Sequence, residues 1–190
     1  MNLRAILTAL SLDVLVASAA GVPATATALT NTLHIMMALS SLTANSAIDI
    51  FTWTADHFLP DVYGGFELIT TAAENEVVVL SNSQEAVAGA INESMQKEIC
   101  EMYRAFADVH RILLGVIIGK KDILAMVLSN ATAAPPDVLP TIEDRLNECS
   151  KAIASLTQLT LPLVPICVGG ILDDQRRYNE LTEELKLVLH

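Results

Sequence analysis

Residues 95–121 read MQKEICEMYRAFADVHRILLGVIIGKK, and the spacing within this stretch decides the fold. Met95, Ile99, Met102, Phe106, Val109 and Leu113 recur at three- and four-residue steps, the period of one helix face. Opposite them lie Lys97, Glu101, Arg104, Asp108 and Arg111, spaced for intrahelical ion pairs on a solvated side. The segment 112–119 then carries no polar residue for about two turns. Lys120, Lys121 and Asp122 restore the charge. A helix that is apolar all round is either enclosed on every side or in contact with something apolar. Gly115 and Gly119 form a small-x-x-x-small pair, which suits tight packing inside a bundle as well as contact with another helix or a ligand chain.

The same period recurs outward in both directions, and alternation of apolar and polar residues is nowhere sustained. The chain is therefore expected to be all-α. A first helix is predicted from about Ala24 into the forties, carrying Leu29, Leu33, Met36, Met37, Ser40 and Leu42 and extending through Ile48, Phe51 and Trp53. Pro60-Asp61 and Gly64-Gly65 punctuate the chain. A second helix is expected over Gly65 to Leu80, with Phe66, Ile69, Ala73, Val77 and Leu80 inward. Ser81-Asn82-Ser83-Gln84 reads as a polar break and cap. The third helix then spans about Glu85 to Leu128, with an interruption near Gly89 and Asn92. Ala134-Pro135-Pro136-Asp137 marks the clearest boundary. The fourth runs from Val138 to Leu161 with Ile142, Leu146, Cys149, Ile153 and Leu156 on one face. Pro162 and Pro165 end it, and a fifth spans Cys167 to Val188. Short connections make successive helices antiparallel. The expected architecture is a single-domain, up-and-down bundle of five helices.

The N-terminus reads as a secretory leader over residues 1–19, followed by one helical domain over 20–190. Met1 to Arg4 is a short positive start, Ala5 to Val16 is apolar, and Ala17-Ser18-Ala19 supplies a small-x-small cleavage signal. The 190 residues carry a net charge of −11, which removal of Arg4 and Asp13 with the leader would leave unchanged. Such a chain lacks the Lys and Arg that phosphate backbones require, so nucleic acid is excluded as a partner. Beyond the leader no apolar run reaches the ~18–20 residues of a membrane span. The expected product is exported and soluble. Two sequons, at Asn92 and Asn130, fit that route as glycosylation sites.

Little in the sequence supports catalysis or metal binding. His34, His57, His110 and His190 are scattered, and none has a metal-type partner one helical turn away. His110 falls at the edge of the third helix's polar face and is expected at the surface or its boundary. Asp173-Asp174 is similar to the aspartate-rich sites of helical terpenoid enzymes, which need further facing carboxylates. Here the fifth position is Arg177 and not a carboxylate, so acids near the start of a solvated helix explain the pair better. No nucleophile elbow or phosphate-binding glycine loop occurs. The expectation is no enzyme, no cofactor and no metal. Three cysteines are too few for a disulfide scaffold. In an up-and-down bundle Cys100 and Cys167 lie near the same end, whereas Cys149 sits mid-helix, roughly 20 Å away. Cys100 is expected to pair with Cys167, leaving Cys149 buried and free.

The run from Asp108 through Ile112-Leu113-Leu114-Gly115-Val116-Ile117-Ile118-Gly119-Lys120-Lys121-Asp122 to Leu124 resembles the fungal hydrophobic surface binding protein A family. That family includes the cell-wall galactomannoproteins. An acid, a leucine-rich helix and a Lys-Lys pair occupy this position there. The fourth helix, with its leading Val-Leu and following Val164-Pro165, is also similar. The chain departs from the pattern in its three cysteines, in its Met and bulky residues, and in lacking a Ser/Thr-rich stalk and lipid-anchor signal. The resemblance implies a secreted or wall-associated protein that binds fatty acids inside the bundle or adsorbs to hydrophobic surfaces. Met102, Phe106, Val109, Leu113, Val116 and Ile117 would then line the cavity or adhesive face, with Ile153 and Leu156 opposite. Met36, Met37, Met95, Met102 and Met126 suit an adaptable apolar site, and Lys120, Lys121 or Arg111 could meet a carboxylate head. The alternative is a structural or protein-interaction role, as in a secreted effector or wall antigen, with a filled core and an exposed apolar patch.

Overall fold

The computed structural model describes residues 22–48, 55–87, 90–120 and 138–189. Among them are five α-helices and no strand: α1 (Val22–Ile48), α2 (Ala55–Val87), α3 (Glu93–Gly119), α4 (Val138–Thr160) and α5 (Val168–Leu189). Two single 3₁₀ turns, Leu161–Leu163 and Pro165–Cys167, connect the last pair, each with proline near its start. The all-helical expectation is thus met. The predicted leader, Asn130, Lys121, Met126 and the Ala134–Asp137 boundary lie outside the described residues.

Both ends of α2 and the start of α3 differ from the sequence reading. α2 begins ten residues before Gly65 and continues through Ser81–Gln84 to Val87. The Ser83 hydroxyl donates to the Val79 carbonyl, 2.8 Å away, so this serine bonds back into its own helix instead of breaking it. α3 starts at Glu93, because the Asn92 side chain accepts the Met95 N–H at 3.0 Å and caps the first turn. It ends at Gly119, where the Lys120 N–H closes back on the Ile117 carbonyl at 3.1 Å.

Contacts between side chains fix the direction of each helix. Thr32 reaches Glu76, and Thr43 lies against Gly65, so α1 and α2 are antiparallel. Tyr63 stacks under Arg145 and Thr70 bonds Cys149, so α2 and α4 run the same way. Thr157 bonds Gln175 while Ser150 bonds Tyr178, which makes α4 and α5 antiparallel. Cys100 is joined to Cys167, and His110 stacks on Tyr178, so α3 and α5 are parallel. The result is the expected up-and-down bundle, with α1, α3 and α5 pointing one way. α1 packs on α2 and α3, α2 on α4, and α5 on both α3 and α4.

The core is built mainly from aliphatic side chains, with Leu29, Leu33, Met36, Phe66, Ile69, Leu80, Ile99, Leu113, Leu114, Leu146, Leu156 and Leu185 fully enclosed. α1 has no Asp, Glu, Lys or Arg in its 27 residues. Its buried Thr43 is satisfied by the Leu39 carbonyl at 2.9 Å, which lets a hydroxyl sit in an apolar seam. Gly65 is required where α1 crosses α2: a Cβ there would collide with the Thr43 side chain.

Candidate functional site

The stripe that α3 buries is Ile99, Tyr103, Phe106, His110, Leu113 and Ile117, with Ala107 and Leu114 beside it. It is rotated by about one residue from the predicted face. Met102, Val109 and Val116 are only half-buried at its edge. The opposite side is the informative one. Glu101, Arg104 and Asp108 are exposed on its first turns, and Arg111 pairs with Asp108. Beyond them the outward positions are Ile112, Gly115 and Gly119, all exposed, with 58% of Ile112 open to solvent. Among the described residues no atom lies within 4 Å of where a Cβ on Gly115 or Gly119 would stand. Among those residues the glycine pair makes no close packing contact, and Ile112, Gly115 and Gly119 face outward.

This outward face has no charged side chain over residues 112–119 and bares helix backbone at both glycines. Each glycine within a helix costs about 1 kcal/mol relative to alanine. Ile48, also half-exposed, closes α1 at the same end of the bundle, since α1 and α3 run parallel. A patch of this kind on a helix back is suited to contact with an apolar surface.

The interior is more polar than the sequence reading anticipates. His110, expected near the surface, is 1% exposed. It occupies the stripe because it stands four residues after Phe106 and three before Leu113, a position the helix turns inward whatever its residue type. Its Nδ1 lies 2.8 Å from the Ser40 hydroxyl. Its ring meets Phe66, Phe106 and Tyr178 at centroid distances of 6.4, 5.4 and 5.2 Å. Burial pushes its pKa down to about 3, so the imidazole is neutral. Around it the Tyr103 hydroxyl pairs with Thr157 at 2.6 Å, and Tyr178 with Ser150 at 2.9 Å. Burial raises the Tyr103 hydroxyl and the Cys149 thiol to about 12 and the Tyr178 hydroxyl further still.

Ser40 and His110 are the two members of a nucleophile–base pair, but Ser40 is fully buried and the histidine's other nitrogen has no carboxylate partner. A substrate atom cannot reach that hydroxyl in this arrangement. Asp173 and Asp174 diverge: Asp173 is exposed beside Arg176, while Asp174 turns inward near Arg111. Among the described residues no group of three or more His, Cys, Asp or Glu is placed to hold a metal ion.

A cavity of about 10 Å³ lies between α3, α4 and α5, bordered by Tyr103, Phe106, Ala107, His110, Ile153, Asp174, Gln175 and Tyr178. Of the eight predicted apolar-site residues, it brings together Phe106 and Ile153. Leu113, Ile117 and Leu156 are packed into the core, and Met102 and Val116 lie against it. A second buried ionisable group, Glu76, sits at the α1–α2 seam with 2% of its surface exposed. Thr32 donates to its Oε2 at 2.9 Å, while Oε1 has no partner. Burial raises its pKa to about 7, partly offset by that hydrogen bond.

Cys100 and Cys167 form a disulfide with their Cα atoms 6.2 Å apart, and Cys149 is free and buried. Asn92 is exposed; its Oδ1 serves the helix cap. No single helix among the described residues is long and apolar enough to cross a membrane. Comparison with protein-family models, with curated proteins and with solved structures yields no match.

Proposed function

We propose that this protein is an exported, non-enzymatic binder of hydrophobic surfaces and lipid aggregates, and that the outer face of α3 from Ile112 to Gly119 makes the contact. The observation that carries this reading is the change of character along one helix face. It is charged at Glu101, Arg104 and Asp108, and apolar and bare at Ile112, Gly115 and Gly119. The core needs none of these outward residues. An uncharged apolar run on the back of a helix is suited to a contact outside the fold, and this supports the reading. The resemblance to hydrophobic surface binding proteins points the same way, and the Cys100–Cys167 disulfide fits an oxidising compartment.

The net charge of −11 sets the class of surface. An anionic bilayer repels the chain, whereas uncharged wax, polystyrene or zwitterionic lipid does not. Storage of a fatty acid inside the bundle has less support. Ligand pockets typically measure ~300–1,000 Å³, and the cavity of about 10 Å³ would have to grow by separating α3, α4 and α5.

The test is adsorption of the purified protein to polystyrene beads and to zwitterionic vesicles, beside the double variant Ile112→Lys with Gly115→Glu. Both positions face solvent, so the variant should fold with unchanged circular dichroism. The expected result is a loss of adsorption of tenfold or more. Equal adsorption by the two folded proteins would refute the assignment to this face.

A further inference from the structure

We infer that the cavity between α3, α4 and α5 is a binding site for one resident water molecule, held between His110 Nε2 and the Asp174 carboxylate. His110 is enclosed and its Nδ1 is engaged by Ser40, yet Nε2 is a buried polar atom without a protein partner. Leaving such an atom unsatisfied is costly. The same imidazole borders a cavity of about 10 Å³, and room for a single water needs roughly 10–15 Å³.

Among the bordering groups the Asp174 carboxylate has the most unused accepting capacity. The Tyr103 and Tyr178 hydroxyls pair with Thr157 and Ser150. The Gln175 amide accepts from Thr157 at 2.8 Å and donates to Asn179 at 2.9 Å. Among the described residues the ion-pair partner of Asp174 is Arg111, at 3.9 Å, beyond hydrogen-bond distance. A carboxylate only accepts hydrogen bonds, so the water donates to it. The water then accepts from Nε2–H, which fixes the imidazole tautomer. Nδ1 is the bare nitrogen, accepting from the Ser40 hydroxyl. One relay therefore runs from α1 through α3 to α5 with every bond donated in the same direction: Ser40 to His110, His110 to water and water to Asp174.

The tautomer and the water are read separately on the full chain. Long-range proton–nitrogen NMR of the histidines should show His110 neutral and protonated at Nε2. A crystal structure at atomic resolution should show one spherical density peak within ~2.7–3.2 Å of Nε2. His110→Phe should abolish the peak. Ala107→Val, which fills the cavity without touching a polar group, should abolish it too and keeps the test open if the first variant does not fold. An Nδ1-protonated ring, a cavity without density, or density for a larger molecule would each overturn the assignment.

Discussion

Replacing Glu76 by Gln should change stability only on one side of a pH window. Burial holds the Glu76 carboxyl at a folded pKa of about 7, against an ordinary value of 4.5. Below pH 4.5 it is protonated whether the chain is folded or not, and it contributes no pH dependence. Between 4.5 and about 7 the unfolded chain releases the proton while the folded chain keeps it, so stability falls as pH rises. At about 1.4 kcal/mol per pH unit, the loss reaches ~3 kcal/mol above pH 7. His110 has the opposite sign. Its folded pKa of about 3 lies below 6.5, so stability falls as pH drops from 6.5 toward 3. Between 4.5 and 6.5 the two slopes cancel, and the native protein should be flat across that range. Glu76→Gln keeps a donor and an acceptor for Thr32 but cannot ionise. Its stability should equal the native protein's near pH 4.5 and exceed it by ~3 kcal/mol near pH 8. The variant should also lose ~3 kcal/mol between pH 6.5 and 4.5, where His110 is no longer opposed. Urea melts at four or five pH values, with m-values compared, measure all three quantities. A difference between variant and native protein that does not depend on pH would refute the reasoning, as would a variant weaker than the native protein near pH 8.

Gly115→Ala should stabilise the bundle by about 0.5–1 kcal/mol in thermal or urea melts, because a Cβ there meets no atom and the helix loses a flexible residue. Gly65→Ala should do the reverse, costing about 1–3 kcal/mol in the same melts, since the added methyl strikes Thr43 at the α1–α2 crossing. Replacing Cys100 and Cys167 by Ser opens a link across 67 residues and should cost about 4 kcal/mol, read as a lower urea midpoint. Cys149 in the native state should resist alkylation until the chain unfolds, because it is fully enclosed and its thiol is held protonated.

Helical periodicity made the architecture legible, down to the fifth helix and the proline-marked turn before it. The misplaced helix faces share one cause. On α3 the apolar spacing points Met102 and Val109 inward where Tyr103 and His110 are buried. On α2, Val77 was assigned inward where Glu76 is. Each time an apolar residue one position away drew the assignment from a residue that can carry charge or a hydroxyl, because such side chains are seldom enclosed. Geometry alone would have found them: 99, 103, 106, 110, 113 and 117 on α3, and 62, 66, 69, 73, 76 and 80 on α2, are unbroken three- and four-step series. What periodicity could not supply was the partner of each polar group, since Ser40 lies 70 residues from His110 and Thr32 lies 44 from Glu76. The outer face of α3 was half legible. The loss of charge after Arg111 was plain, but whether a neighbour covers it depends on the packing order of five helices.

The Cys100–Cys167 link also changes what a protease can achieve. The two cysteines bracket most of α3, all of α4 and the connection between them, so one cut anywhere in that interval leaves two pieces still joined by sulfur. A nicked molecule would run at full length on a gel without reductant and as two bands with it. Each piece would stay within reach of its former neighbours, and α4 would be released only by a second cut or by a thiol. Wherever a protease meets this chain, the crosslink turns a single scission from a loss of the molecule into a scar.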